Sequence, residues 1–458
     1  MLLRTATSSP LARVSLHIAP RGLAGRLRAK STTTQSVPGT EAETGVNPQP
    51  LFTVIPLKTG QERYWSEIER YGVKRMGDGG KDPPVPELPT PVLKRMSNSY
   101  CQFILPFKSR PTLLNEYVNV HGLIRVGRIL EELDKLAGAV AYRHCSVDNQ
   151  VGPVTIVTAA VDRIELLNRL SAHEDYKFSG KVCHVGSSSM EIYLKVETLQ
   201  DGSTTEPKEI VLAAHFTMVA RHQITQKAIR VNPLKIITEK EKAIYALSLE
   251  LKERKKQRSQ SSLLKEPPTA EERRLMHQLY LESMEYTDHK FEPERKPANV
   301  VWSDETKLQS ITVTMPADRN IHNKIFGGYL MRLALELAYA EAQLFTRRIP
   351  QVWAIDDISF RKPVPIGCLL ELTAQVTFSP GTDGGTFEVA VEIEVIDPET
   401  RAKETANVFN ITFKSPEGVA APRIIPRTYA DLIKYVEANR RYEQHKNRFT
   451  LPREFIDD

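Results

Sequence analysis

The chain has 458 residues, of which 41% are hydrophobic and 26% charged, the balance of a folded protein with more than one core. Its net charge of +6 is spread along the sequence and no run of about 18 apolar residues occurs, which disfavours nucleic-acid binding and a transmembrane span. The four cysteines form no CxxC pair and have no histidine at metal-ligand spacing, so neither a disulfide framework nor a metal site is predicted.

Residues 1–40 have the composition of a mitochondrial import presequence. No acidic residue precedes Glu41, while arginines are scattered among Leu, Ala, Ser and Thr. The stretch from Leu11 to Ile18 can form a helix with one apolar face, which is the feature that import receptors bind. We predict cleavage near Ser31 and a mature protein in the mitochondrial matrix. A basic tail without a targeting role is the alternative.

A first domain is predicted over residues 91–224, after a Gly- and Pro-rich lead-in (41–90) that holds one short helix near Gln61 to Tyr71. Apolar residues recur at helical spacing from Gly127 to Arg143, which predicts a long helix with one buried face. A strand precedes this helix. Beta-rich runs follow it at residues 154–164, 182–199 and 209–219.

The same order of elements returns over residues 298–418, which predicts a second copy of the domain. A strand at residues 310–315 precedes a helix from Gly328 to Phe345, and strands follow near residues 351–360, 369–378, 387–396 and 404–413. Asn119 and Asn320 are 201 residues apart, as are Gly127 and Gly328, so both landmarks share one offset.

Two segments flank the second copy. Residues 225–297 are highly charged and include the cluster Lys255-Lys256-Gln257-Arg258, which is typical of solvated helices and long enough for two of them to connect the domains. Nucleic-acid binding would require aromatic residues among the charges from Glu250 to Arg258, and none are interleaved there. Residues 419–458 contain an amphipathic helix from Tyr429 to Arg448, predicted to pack on the second domain.

One long helix with five or six strands around it predicts an α+β fold of the hotdog type. A sheet of this kind leaves an edge strand unpaired, so pairing with a second copy is expected. The tandem repeat supplies that copy within one chain. The sequence therefore predicts tandem hotdog domains that form an internal pseudo-dimer with two grooves at the interface.

A pair of matching strings, from Asn119 to Leu130 and from Asn320 to Met331, lies just before and into each long helix. These strings resemble the acyl-CoA thioesterases of the tandem-hotdog type. Together with the presequence, the long linker and the C-terminal helix, they are most similar to the mitochondrial acyl-coenzyme A thioesterase nine group. The resemblance covers both repeats, and it implies hydrolysis of fatty acyl-CoA to a free fatty acid and CoA.

The chemistry of a thioester fits the residues at these helix starts. Backbone N–H groups at a helix N-terminus can stabilise an oxyanion, and a glycine there lets the ligand approach them. Asp134 follows Gly127 by seven residues, nearly two helical turns, and so returns to the same face. The homologous position in the second repeat is Leu335, which cannot take a proton, and Glu336 should face elsewhere.

The resemblance further implies that an acid on one helix works with an asparagine from the other subunit's loop. We therefore predict one competent groove, in which Asp134 acts as general base or nucleophile, Asn320 orients the water or thioester, and donors near Gly127 hold the oxyanion. The groove that pairs Asn119 with Leu335 is predicted to be inactive or only to bind. Other predicted substrate-binding residues are Asn119, Gly327 and Gly328, with Arg125 and Lys324 for the CoA phosphates.

Structural roles remain open for the same residues. The asparagines could cap the helix-entry turns, the glycines could be packing turns, and Asp134 could be a solvated helix residue. The first repeat also departs from the family pattern, with Val126 in place of the first glycine. A non-catalytic acyl-CoA-binding protein and a hotdog hydratase are the alternative functions. No metal or cofactor is predicted; the expected partners are acyl-CoA and further copies of the chain, with a trimer of pseudo-dimers as the assembly implied by the resemblance.

Overall fold

The computed structural model describes residues 90–148, 152–162, 164–200, 206–263, 265–287, 296–318, 324–360, 362–381, 385–416 and 418–446. The predicted presequence, the helix near Gln61 to Tyr71, and Asn320 lie outside these residues. None of the helices in the described part of the chain is apolar over a length that would cross a bilayer.

The first repeat has the predicted strand, long helix and following sheet. Its elements are β1 (Lys94–Arg95), β2 (Cys101–Leu105), the single turn α1 (Pro111–Leu114), α2 (Val126–Cys145), β3 (Val154–Val161), β4 (Ile164–Leu166), β5 (Tyr176–Val185), β6 (Ser189–Leu199), β7 (Pro207–His222), β8 (Leu234–Lys235) and α3 (Glu239–Gln260). The run predicted over 182–199 is a hairpin, because a three-residue turn at 186–188 is closed by the Gly186 N–H donating to the Ser189 carbonyl at 2.8 Å.

The second repeat follows helix α4 (Ala270–Thr287) and has the same order. Its elements are β9 (Val300–Trp302), β10 (Leu308–Val313), α5 (Gly327–Thr346), β11 (Gln351–Ile355), β12 (Ile358–Ser359), β13 (Leu369–Phe378), β14 (Thr386–Ile396), β15 (Lys403–Lys414), β16 (Arg423–Ile425) and α6 (Tyr429–Lys446). Helices α2 and α5 each bury an apolar face that includes Leu133 and Val140 in α2 and Leu330 and Ala338 in α5.

The repeat extends beyond the long helix and its sheet. Strand β8 pairs parallel with β1, and β16 pairs parallel with β9, so each repeat brings its last short strand back to its first. An outer helix follows each of these strands, α3 in the first repeat and α6 in the second. Helix α3, in the segment 225–297 that we assigned to the linker, is thus the counterpart of the C-terminal helix.

The two repeats join edge to edge, as we predicted from the edge strand that each sheet would otherwise leave unpaired. Strand β11 pairs with β4 and β12 pairs with β3, which produces one twelve-stranded sheet among the described residues. Because β11 follows the pattern of β3 and β12 that of β4, these two contacts are related by a pseudo-twofold axis. Helices α2 and α5 pack against each other across the same axis. The α+β tandem-hotdog prediction is confirmed.

Candidate active site

The carboxylate of Asp134 is buried at the contact between the two repeats. Only 1% of Asp134 is exposed. Its Oδ1 accepts a hydrogen bond of 2.7 Å from the Thr158 hydroxyl of β3, in the same repeat. Its Oδ2 accepts one of 2.5 Å from the Gly328 N–H at the start of α5, in the other repeat. One acid is therefore held from both sides of the interface.

Burial raises the pKa of Asp134 from an ordinary value of 3.8 to about 6, against the opposing effects of the hydrogen bonds from Thr158 and Gly328 and of the nearby Lys135 charge. The carboxylate is therefore ionised near neutral pH, and its basicity is higher than that of an exposed aspartate. Both properties suit a general base, whose pKa should lie near the working pH.

Glycine is required where α5 approaches this acid. A Cβ on Gly328 would lie 2.9 Å from the Glu131 Cα and 3.1 Å from the Asp134 Cβ, too close for the backbone of α2 to remain in place. A Cβ on Gly327 would lie 3.0 Å from Asp134 Oδ2 and 3.3 Å from a ring carbon of Phe360. Both glycines thus let the start of α5 approach the carboxylate closely, and the Gly328 N–H, which carries partial positive charge at a helix N-terminus, donates to it.

The pseudo-twofold counterpart of this site has no acid. Leu335 replaces Asp134 and is 3% exposed. Thr158 is opposite Met218 just before the β-bulge of β3, and Val352 is opposite Phe413 just before the matching bulge of β11, so Val352 replaces Thr158. Two apolar side chains therefore stand where the first site has its carboxylate and its hydroxyl.

The structure brings Gly328, rather than Gly127, to the Asp134 carboxylate. A Cβ on Gly127 would lie 3.0 Å from the Arg332 Cγ and 3.2 Å from the Arg332 Cα, on the side of the axis where Leu335 lies. We predicted a donor near Gly127, at the start of α2. The N–H group that contacts the acid instead belongs to Gly328, at the start of α5.

Asn119 closes its own loop and does not cap α2, whose N-cap residue is Arg125. Its Oδ1 accepts hydrogen bonds from the His121 N–H at 2.9 Å and the Leu123 N–H at 3.0 Å. The side chain also lies beside Tyr339 of α5, where burial raises the pKa of the phenol and Asn119 opposes the rise. The loop of the first repeat thus faces the helix of the second, although Asn320 itself is not described.

The two predicted phosphate-binding cations lie in different surroundings. Arg125 forms an ion pair with Glu336 across the repeat interface, so its charge has a partner within the protein. The Glu336 side chain is 36% exposed whereas Leu335 is buried, so the two side chains lie on different faces of α5. Lys324 is exposed just before α5, and its backbone forms a bridge with Pro365.

Thr158 was missed by the sequence reasoning, because one threonine in a β-rich run has no pattern of its own. The signal that could have found it is the comparison of the repeats at equal strand register, where Thr158 and Val352 differ as Asp134 and Leu335 do. Within the described ranges no cluster of three or more His, Cys, Asp or Glu residues is arranged to hold a metal ion.

No protein-family model matches the chain. Acyl-coenzyme A thioesterase 9, mitochondrial, of Bos taurus is 39% identical over 365 residues, which cover 79% of this chain and 82% of that protein. Acyl-coenzyme A thioesterase 10, mitochondrial, of Mus musculus is 37% identical over 364 residues, covering 79% and 81%. Both alignments are longer than either repeat.

Solved structures with similar coordinates include an acyl-CoA hydrolase from Staphylococcus aureus in complex with butyryl coenzyme A. It has 24% sequence identity and a TM-score of 0.31, covering 32% of this chain and 91% of that one. An oleoyl thioesterase from Lactobacillus plantarum has 11% identity and a TM-score of 0.40, covering 69% and 95%.

Proposed function

The chain belongs to the mitochondrial acyl-coenzyme A thioesterase 9 and 10 family, and we propose that it hydrolyses fatty acyl-CoA at one groove, between α2 and the start of α5. The observation that carries this assignment is the buried Asp134 carboxylate, held by Thr158 of its own repeat and by the Gly328 N–H of the other. The homologous groove has apolar Leu335 and Val352 at the positions of Asp134 and Thr158, and we assign it no hydrolytic role.

The proposed mechanism is general-base hydrolysis. Asp134 takes a proton from a water molecule as the water oxygen bonds to the thioester carbonyl carbon. The carbonyl oxygen becomes an oxyanion, and we assign its stabilisation to the positive end of the α5 dipole, where Gly327 lets a ligand approach the backbone. The C–S bond then breaks, and the expelled thiolate takes the proton back from Asp134 and leaves as CoA thiol. The second proton of the water leaves with the fatty acid, which ionises in solution, and Asp134 is again a carboxylate. Asn320, seven residues before Gly327 in the sequence, is proposed to orient the water or the thioester.

We further propose that the protein acts in the mitochondrial matrix and assembles into a homo-oligomer. The acid-free composition of residues 1–40 supports the location. Support for assembly comes from β10, an edge strand of the sheet. Ile311, Val313 and Met315 alternate along it and beyond its end, and are 62%, 43% and 51% exposed. A trimer of pseudo-dimers would cover such surfaces.

Release of free CoA thiol from acyl-CoA substrates of different chain lengths tests the activity and finds the preferred chain. We expect turnover with at least one chain-length class. Tight binding of acyl-CoA without thiol release would instead identify a non-catalytic binding protein. Loss of the absorbance of an enoyl-CoA without free thiol would identify a hydratase.

The pH dependence of kcat follows from the proposed base. Asp134 must be ionised, so kcat should fall tenfold for each pH unit below about 6, the pKa to which burial raises its carboxyl, and should level off above it. Initial rates of thiol release between pH 4.5 and pH 8.5, with a check that the protein remains folded, measure this limb. An activity that is flat through this range would contradict the assignment of Asp134.

Replacing Thr158 with valine should move that acid limb to higher pH and lower kcat about tenfold, because the Thr158 hydroxyl stabilises the ionised carboxylate. Valine has nearly the same shape, so packing in β3 is preserved. Thr158→Ser, which keeps the hydroxyl, is the matched control and should retain most of the activity. Equal pH profiles for Thr158→Val and the parent would exclude this role.

A further inference from the structure

An ion pair lies where α2 and α5 cross near their starts. The Arg332 Nε of α5 donates to the Glu131 Oε1 of α2 at 2.7 Å, and the two side chains are 15% and 10% exposed. Arg128 contacts the second oxygen of Glu131 at 2.9 Å, and Arg332 also contacts Glu336 at 3.4 Å. Charges of alternating sign therefore span the interface one helical turn from the contact between Gly328 and Asp134.

Glu131 and Arg332 occupy homologous positions in the two repeats. They are 201 residues apart, as are Gly127 and Gly328. The structure agrees, because a Cβ on Gly127 would lie 3.2 Å from the Arg332 Cα and a Cβ on Gly328 would lie 2.9 Å from the Glu131 Cα. Each glycine thus packs on the same site of the opposite helix. Position 131 meets its own counterpart across the axis, and the two charges are opposite.

The inversion of sign recurs one turn farther along the helices. Lys135 of α2 is the homologue of Glu336 of α5. Glu336 forms an ion pair with Arg125 of the first repeat. At two consecutive helical turns of α5, the first repeat therefore places a charge opposite in sign to the one it meets: Glu131 beside Arg332, and Arg125 beside Glu336.

This pattern opposes any pairing of like repeats. Two copies of the first repeat would place Glu131 against Glu131 and Arg125 against Lys135. Two copies of the second repeat would place Arg332 against Arg332. Like charges in a position this poorly exposed repel strongly and disfavour the wrong partner, whereas the observed pairing neutralises them.

We propose that Glu131 and Arg332 determine which repeats pair, admitting a first repeat only beside a second repeat, and so act as positioning residues for the Gly328 N–H on Asp134. Two second repeats paired together would have Leu335 in both grooves, so this selection also keeps the acid in the assembled interface. The effect on turnover rests on the proposed role of Asp134; the effect on pairing does not.

The test uses four variants of the full chain: Glu131→Gln, Glu131→Arg, Arg332→Glu, and the exchange Glu131→Arg with Arg332→Glu. The midpoint of thermal unfolding and the mass in solution report on pairing, and kcat for thiol release reports on positioning. Lys242→Glu, on α3, is the control, since it disrupts an ion pair with Glu239 whose side chains are 59% and 87% exposed.

If charge selects the partner, each single reversal should lower kcat by about tenfold or more, and by clearly more than Glu131→Gln does. The exchange should recover most of the lost Tm and kcat, and Lys242→Glu should change neither. A reversal that fails to fold while the exchange folds also supports the proposal.

Three results would overturn it. The exchange could show the summed losses of Tm and kcat of both reversals, the Glu131→Arg variant could be no worse than Glu131→Gln, or the exchange could fail to fold. An exchange that recovers Tm and the parent mass but not kcat would preserve the pairing role and count against the assigned catalytic groove, so the two failures are distinguishable.

Discussion

Replacing Asp134 with asparagine is expected to lower kcat for acyl-CoA hydrolysis by a factor of about a thousand, while KM changes by less than about threefold. The amide has the shape of the carboxylate and can still accept one of the hydrogen bonds from Thr158 and Gly328, but it cannot take a proton. Initial rates of thiol release over a range of substrate concentrations separate kcat from KM.

The matched control for this change is Glu132→Gln, on the same helix. Glu132 is also buried, but it accepts from the Tyr117 hydroxyl at 2.9 Å and lies beside Lys135, so the amide keeps its main partner. It should retain kcat within about threefold. If Asp134→Asn kept full turnover with normal binding of acyl-CoA, the proposed base would be the wrong residue.

Stability should respond to Asp134→Asn in the opposite direction from activity. Because burial raises the pKa of Asp134 from 3.8 to about 6, the folded state loses stability as pH rises between these values, by roughly 3 kcal/mol in all. Asparagine carries no charge, so the variant should unfold at the same Tm as the parent or higher at pH 7.5. A buried catalytic charge is expected to lower the stability of the folded state while being required for turnover.

Much of this arrangement could be predicted from the sequence, because it depends on local patterns. The helical spacing of apolar residues predicted α2 and α5 to within two residues at each end. The shared offset of 201 residues predicted the repeat and singled out Asp134 by its replacement with Leu335. These features are periodic along one chain segment and need no knowledge of the tertiary contacts.

The partner of Asp134 could not be predicted in this way. Seven residues separate Gly127 from Asp134, which places them about 10 Å apart along the axis of α2, too far for the start of that helix to contact the acid. The contacting donor had to come from a second helix that crosses α2, and the register of that crossing depends on how closely Gly127 and Gly328 let the backbones approach. Strand register, which identifies Thr158, is likewise a property of the folded sheet.

Replacing Gly328 with alanine is expected to lower kcat about a hundredfold, because displacement of a helix start by about 1 Å removes its N–H from the acid. The added methyl would lie 2.9 Å from the Glu131 Cα and 3.1 Å from the Asp134 Cβ, so α5 must move away from α2. The pKa of Asp134 should be higher in the variant than in the parent, because the variant loses the Gly328 hydrogen bond that lowers this pKa. The acid limb of the pH profile should then shift to higher pH.

Gly127→Ala distinguishes this assignment from a general loss of packing. Gly127 occupies the same position across the pseudo-twofold axis, and its added methyl would press on Arg332 at 3.0 to 3.4 Å, so both variants should lose Tm. Only Gly328 faces an acid, however, because the group opposite Gly127 is Leu335. We therefore expect Gly127→Ala to lower kcat by clearly less than Gly328→Ala does. If both alanine variants lost turnover equally, the loss would come from packing and not from a donor at Gly328. If Gly127→Ala lost more, the donor would lie at the start of α2, as the sequence alone predicted.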